Sequence, residues 1–177
     1  FRDRLVPYLA DAYPDPTGEA LQAPLVSAES FDELSAREQE ILNAAAPLIQ
    51  TRIQMLRECR DMLGFLFVSD AELTIDDKAV AKLKVSAGDV LDAGIHALEG
   101  LGPEQWGRGQ LEEALSAAIV EGQGMPNGEG IKPRLAYGPL RVAVTGRQVS
   151  PPLFESMEIL GAGSTLARLK ALRARLG

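Results

Sequence analysis

The sequence predicts an all-α protein, and two observations carry this prediction. Alanine and leucine, which favour helices, are abundant, whereas aromatic residues, which favour strands, make up 5% of the 177 residues. Apolar residues also recur every three to four positions over much of the chain, which is the spacing of helices with one buried face. A chain of this length can bury a sizeable core as one domain or as two small ones.

The first part of the chain predicts a loop followed by a long helical region. Prolines and a glycine within 11–29 are typical of a loop. Ser30 and Ser35 each have a glutamate three residues later, which is the capping-box spacing, so either serine could precede the next helix. Amphipathic spacing then extends over 38–67, where Pro47 is expected to kink or split the helix.

A polar, turn-like stretch at 70–77 predicts a boundary between two helical domains, 1–72 and 73–177. In the second domain, helical spacing predicts four helices, at 80–98, 106–120, 153–160 and 165–176. The segment 134–146 stays ambiguous, because its apolar residues also alternate as they would in a strand.

The charge is unevenly distributed along the chain. The net charge is −7, yet residues 131–177 hold eight basic and two acidic side chains, a net +6 that leaves −13 for residues 1–130. This asymmetry indicates either a basic surface for a partner on an acidic body or simply an arginine-rich last helix.

The sequence offers little for catalysis or metal binding. His96 is the single histidine and Cys59 the single cysteine, so a zinc cluster, a Ser-His-Asp triad and an internal disulfide are not expected. No phosphate-binding loop signature occurs, and we expect no cofactor in this chain. The cysteine usage and the lack of a long apolar run predict a cytoplasmic protein without membrane contact. The chain starts at Phe1, within a helix-like phrase, as expected for a piece of a longer protein.

One region combines arginine with a rigid corner. A guanidinium group can pair with the ring nitrogen and carbonyl oxygen of cytosine in unpaired RNA, so Arg52 and Arg141 are candidate readers. Ser150-Pro151-Pro152 fixes the backbone, and Leu153 and Phe154 could offer an apolar surface on which a base stacks. The alternative is that both apolar residues belong to the core and both arginines are solvated.

This region resembles a known family. The run Pro-Leu-Arg-Val-Ala-Val-Thr-Gly at 139–146, then Ser-Pro-Pro-Leu-Phe-Glu at 150–155 and Ile-Leu-Gly at 159–161, is similar to the C-terminal anticodon-binding region of bacterial glutamyl-tRNA synthetases. The segment 41–67, which contains Arg52, looks like the same family's helix before the second anticodon-binding subdomain, and the whole chain matches in length and order.

The resemblance implies an all-α, two-part helical cage in which the segment around Arg141 is helical. By position, Arg141 would read the last anticodon base, and Arg52 would accept cytosine at the first. The proline corner, Ser150 to Pro152, and the two residues after it would hold the middle uracil through four residues: Ser150, Pro151, Leu153 and Phe154.

The resemblance further implies a parent enzyme that ligates glutamate to tRNA. ATP, with magnesium, would bind in a catalytic domain outside this chain, because the family's catalytic signatures are missing here. The expected partner is tRNA-Glu, and the protein is expected to be a monomer. A rival hypothesis is a helical protein–protein interaction module whose basic last helix docks an acidic partner.

Overall fold

A computed structural model describes residues 1–11, 13–14 and 21–177. These residues form an all-α fold, as predicted, with one two-residue antiparallel pairing in which β1 (Tyr13–Pro14) lies against β2 (Leu21–Gln22). The predicted loop at 11–29 therefore contains this short pairing, and its Pro16 and Gly18 lie outside the described residues. The chain divides into two compact units, Phe1–Ser69 and Asp70–Gly177.

The first unit contains three α-helices and four 3₁₀ helices within its described residues. The α-helices are α1 (Val6–Ala10), α2 (Ala36–Ile49) and α3 (Cys59–Leu63), and the 3₁₀ helices are Arg2–Leu5, Phe31–Glu33, Leu56–Glu58 and Gly64–Leu66. Its core is formed mainly by leucine and isoleucine side chains from these elements, among them Leu5, Leu9, Leu42, Ile49 and Leu63.

Helix α2 shows which of the two candidate capping serines begins the helix. The Ser35 N–H donates to the Glu38 carboxylate at 2.8 Å, and the Ser35 hydroxyl accepts from the Glu38 N–H at 3.3 Å, which completes a capping box. The expected split at Pro47 is wrong in position, because α2 continues through Pro47 and ends at Ile49. A proline this close to the helix end removes one backbone bond near the terminus, where the helix stops in any case.

Arg60, on α3, is buried, with 8% of the residue exposed, and it donates hydrogen bonds to other segments of the first unit. Its Nε donates to Gln22 Oε1 at 3.0 Å, and its Nη1 donates to the carbonyls of Tyr8 at 3.3 Å and Asp11 at 3.0 Å. Nη2 donates to the Ala23 carbonyl. Arg60 therefore has a structural role in the first unit, since buried carbonyls need donors.

The second unit contains six α-helices and one π-helical turn. They are α4 (Asp77–Ala81), α5 (Ala87–Glu99), α6 (Arg108–Leu115), the π-helical turn Ser116–Val120, α7 (Pro133–Thr145), α8 (Leu153–Leu160) and α9 (Ala162–Leu176), with a 3₁₀ helix at Pro103–Gln105. Helix α5 packs against α7 and α9, and α8 packs against α6. Gly94 permits the close approach of α5 to α7, because a Cβ there would lie 3.0 Å from Leu140 Cδ2.

The ambiguous segment 134–146 is helical. Pro133 occupies the first turn of α7, where a proline costs no hydrogen bond, and Gly146 ends the helix with a φ of 77°. The Gly146 carbonyl accepts from the Asp76 N–H at 2.9 Å, and a Cβ on Gly146 would collide with the Thr74 carbonyl. Glycine is therefore required here by both the left-handed φ and the close approach.

Two predicted helices of the second unit are interrupted. The single helix expected at 80–98 is wrong, because α4 ends at Ala81 and α5 begins at Ala87. The helix expected at 106–120 changes to π-helical geometry at Ser116. The first interruption matters most, since four of the five residues between α4 and α5 line the site described next.

Candidate nucleic-acid interface

Helix α7 presents one face to an open groove. Arg134, Tyr137 and Arg141 follow a spacing of three and four residues, which places them on the same side of a helix. All three line a groove of about 880 Å³, whose other wall is formed by Ala81 to Lys84 and Ser86 and whose lining includes Gln148. The entire groove belongs to the second unit.

The groove is strongly basic in a chain that is acidic overall. Its fourteen lining residues, all within the described part of the chain, include Lys82, Lys84, Arg134 and Arg141 and no aspartate or glutamate. Residues 131–154 contain no acidic residue either, so α7 and the corner that follows it carry only positive charge. Clustered cations without intervening carboxylates attract a polyanion.

Arg141 is held by the proline corner. Its Nη1 donates to the Ser150 hydroxyl at 2.8 Å and to the Pro151 carbonyl at 3.2 Å. The Ser150 hydroxyl in turn donates to the Pro151 carbonyl at 2.8 Å. Because two acceptors on a rigid backbone contact the same nitrogen, the half-buried guanidinium is pre-oriented at the groove.

An aromatic pair connects the groove to the start of α8. The rings of Tyr137 and Phe154 meet edge to face, with centroids 5.2 Å apart and an interplanar angle of 86°. Burial raises the pKa of the Tyr137 phenol, and its hydrogen bond with Ser116, in the π-helical turn, acts in the opposite direction. Tyr137 therefore stays neutral and presents an aromatic surface beside Arg141.

Five of the six predicted site residues come together in the second unit, although they differ in exposure. Ser150, Pro151 and Leu153 are buried, with Leu153 only 3% exposed, whereas Arg141 and Phe154 are half-buried. Leu153 thus lies in the core, which is the alternative placement considered from the sequence, and an RNA contact from its side chain stays a prediction from the resemblance.

The sixth predicted residue, Arg52, belongs to the first unit. It is exposed in the turn that follows α2, where its N–H donates to the Ile49 carbonyl at 2.8 Å. Met55, an exposed apolar side chain, lies three residues further along the same connection. This placement leaves the Arg52 side chain accessible to a partner.

The basic last helix is neutralised by acidic residues of the same unit. Arg168, 2% exposed, bonds Asp70 at 2.7 Å and the Val144 carbonyl at 2.9 Å. Three more pairs extend along α9: Lys170 with Glu99 at 2.7 Å, Arg173 with Asp92 at 2.8 Å, and Arg175 with Asp77. The Lys170 ammonium lowers the pKa of Glu99 through their hydrogen bond and their opposite charges. The pairing of α9 with its own chain disfavours the rival hypothesis of a basic docking helix.

The remaining chemistry-bearing residues have structural or solvated positions. His96 is exposed on α5. Cys59 is fully buried, and burial raises the pKa of its thiol to about 12, so the thiol is an unreactive part of the core. Within the described ranges, no three histidine, cysteine, aspartate or glutamate side chains are grouped as metal ligands. None of the helices in those ranges has the length and hydropathy of a membrane span.

Sequence reasoning missed Lys82, Lys84 and Tyr137 as members of the site. Leu83 fits the helical spacing of its neighbours, so the sequence predicts one continuous helix in which Lys82 and Lys84 would lie on different sides. Tyr137 could have been found, because it lies four residues before Arg141 and would share its face once that segment is taken as a helix.

An all-α chain with a basic groove, a pre-oriented arginine and an adjacent aromatic residue has the features expected of an RNA-binding module. The family model described as "Anticodon binding domain" matches residues 1–173. The chain therefore belongs to the anticodon-binding domain family, which establishes tRNA as the kind of partner.

Curated relatives carry this similarity over nearly the whole chain. The glutamate–tRNA ligase of Kineococcus radiotolerans is 49% identical over 176 residues, 99% of this chain and 30% of the relative, and that of Kocuria rhizophila has the same values. The chain thus spans about 30% of the length of these relatives. The crystal structure of a glutamate tRNA ligase from Elizabethkingia meningosepticum shares the fold, with a TM-score of 0.62 and 18% identity over 82% of this chain and 27% of that one.

Proposed function

We propose that this chain is the anticodon-binding part of a glutamate–tRNA ligase and that it recognises tRNA-Glu. The observation that carries the proposal is the groove lined by Arg141, which Ser150 and Pro151 hold in place, together with Lys82, Lys84 and Arg134. The relatives named glutamate–tRNA ligase support the choice of glutamate, since they match 99% of the chain at 49% identity.

Arg141 reads the last anticodon base in this proposal. A guanidinium offers donors in a fixed plane and no acceptor, so it pairs with the acceptor edge of cytosine and is repelled by the N–H that uracil presents there. The bonds from Nη1 to the proline corner hold that plane in place. Pre-orientation reduces the entropy lost when the base arrives.

The proline corner and Phe154 hold the middle uracil. Ser150, Pro151 and Leu153 are buried, so their part is to shape the corner and offer backbone groups, while half-buried Phe154 lies at the site's edge against Tyr137. Arg52, exposed in the first unit, accepts cytosine at the first anticodon position. Base contacts of these kinds carry the sequence information in RNA recognition.

The parent enzyme attaches glutamate to tRNA, as a class I synthetase that uses ATP and magnesium in a domain beyond this chain. The present chain supplies anticodon recognition and no catalysis, it acts as a monomer, and it works in the cytoplasm. The ligase activity extends the names of the relatives to the whole protein. The cofactors, the monomeric state and the location follow from the resemblance of the sequence to the synthetase family.

The proposal is tested by equilibrium binding of the 177-residue chain to a set of tRNAs. The set contains tRNA-Glu, unrelated tRNAs, and tRNA-Glu with the first, middle or last anticodon base changed. We expect tighter binding of tRNA-Glu than of the others and affinity that falls steeply as salt increases. Cytosine should be preferred over uracil at the first position if Arg52 has the proposed role.

Two results would count against the proposal in different ways. Equal affinity for all tRNAs would remove anticodon recognition from the chain, whereas equal affinity for the two first-base forms would remove only Arg52. Sedimentation of the free chain as a dimer would contradict the monomeric state alone.

A further inference from the structure

We propose that Lys82 and Lys84 hold the phosphodiester backbone of the RNA whose bases face α7. The groove would then bind RNA through both walls, with base reading on α7 and phosphate contacts on the opposite side. This inference rests on the proposed function and extends it to two residues outside the set identified from the sequence.

The interruption between α4 and α5 gives both lysines access to the groove. In a continuous helix, residues two apart point to nearly opposite sides and cannot share a partner. Here residues 82–86 leave helical geometry, and Lys82 and Lys84 both line the groove. The Lys82 ammonium donates to Gln148 Oε1 at 3.4 Å, which places it directly at the groove's polar lining.

The side chains of the two walls differ as expected if α7 reads bases and the lysines bind phosphates. An ammonium group on a flexible stem is a compact point charge that suits phosphate oxygens but has no planar edge to match a base. The guanidinium of Arg141 is planar and held in place by Ser150 and Pro151. Phosphate contacts position the nucleic acid, whereas planar donors read bases.

The electrostatic setting favours a chain of phosphates over a single anion. Lys82 and Lys84 share the lining of the groove with Arg134 and Arg141, and none of the fourteen lining residues is an aspartate or a glutamate. A groove of about 880 Å³ that is lined by two lysines and two arginines offers cations to more than one phosphate. The half-buried Tyr137 ring beside Arg141 adds a surface suited to bases rather than to an acidic peptide.

The test compares the Lys82→Gln/Lys84→Gln double variant with the parent in binding to tRNA-Glu and to tRNA-Glu with a changed last anticodon base. Affinity is measured between about 50 and 200 mM salt, the range in which counterion release is resolved. The plot of log affinity against log salt has a negative slope, and the double variant should make it less steep by about 1.4, which corresponds to two lost phosphate contacts. Near 0.1 M salt the loss should be about 25-fold, and it should be equal for both RNAs.

Two matched variants test whether the effect depends on the charge of the lysines and on their position at the groove. Lys78→Gln removes an exposed lysine of α4 that does not line the groove, and it should leave both affinity and slope unchanged. Lys82→Arg/Lys84→Arg keeps both charges and should retain the parental slope. Thermal unfolding of each variant should match the parent, because all three lysines are exposed.

The results distinguish this inference from the function on which it rests. An unchanged slope in the glutamine double variant would overturn the assignment of Lys82 and Lys84 to phosphate binding, even if the parent still selects tRNA-Glu. A loss confined to one of the two RNAs would also overturn it, since it would make the lysines base readers. A parent that binds both RNAs equally would instead overturn anticodon reading by Arg141, and the slope would still decide the role of the lysines.

Discussion

Helices α7 and α9 are both rich in cations, but they use them in opposite ways. Arg168, Lys170, Arg173 and Arg175 on α9 each pair with a carboxylate elsewhere in the second unit. Arg134 and Arg141 on α7 line a groove together with Lys82 and Lys84. The positive charge of the C-terminal part of the sequence therefore lies in two settings, in ion pairs along α9 and at the lining of the groove beside α7.

The largest effect expected from this comparison is on stability and arises on α9. Arg168→Met should lower the free energy of unfolding by about 2–4 kcal/mol, because Val144 loses a buried donor and Asp70 loses its partner. The lower end of this range applies if water reaches Asp70, whose side chain is 37% exposed. Urea unfolding measures the change.

Arg175→Gln is the matched control for this variant. The pair of Arg175 with Asp77 is exposed, with 43% and 89% of the side chains accessible, so its removal should change stability by no more than about 0.5 kcal/mol. Equal losses in the two variants would show that burial does not distinguish the ion pairs of α9.

The smallest expected effect concerns the pH dependence of the pair between Lys170 and Glu99. Because Lys170 lowers the pKa of Glu99 in the folded chain, the pair stabilises the fold above the unfolded-state pKa and loses this contribution as pH falls through the folded-state value. Lys170→Gln should return the Glu99 pKa to its ordinary range, as measured by NMR titration of the carboxyl carbon. A Glu99 titration that is the same in parent and variant would contradict this assignment.

Local patterns predicted several elements well. The corner of Ser150 to Pro152 and the apolar spacing after it predicted the helix that the structure places at Leu153–Leu160. The capping-box spacing gave Ser35 as one of two candidate serines, and the structure places the box there. The five predicted site residues of the second unit lie near one another because they are close in sequence and connected by a rigid turn, and their contacts with RNA stay a prediction.

The features that sequence reasoning missed depend on distant contacts. Leu83 continues the helical spacing, so no local sequence signal marks the interruption between α4 and α5. Because of this interruption, Lys82 and Lys84 both line the groove. The acidic partners of α9 lie as far as 98 residues away, as for Arg168 with Asp70, and charge counting along the chain cannot pair them. The proposed surface thus became visible only when the structure showed which cations line the groove and which form ion pairs along α9.

The most direct test of this account is last-base selection by Arg141 variants. The ratio of affinities for tRNA-Glu with cytosine or uracil at the last anticodon position is measured for the parent, Arg141→Ala, Arg141→Lys and the α9 control Arg173→Ala. We expect both Arg141 variants to lose about 1–3 kcal/mol of discrimination, while Arg141→Lys keeps the parental salt dependence and Arg173→Ala keeps the parental ratio. Parental discrimination in Arg141→Lys, or an equal loss in Arg173→Ala, would contradict the assignment of base reading to α7.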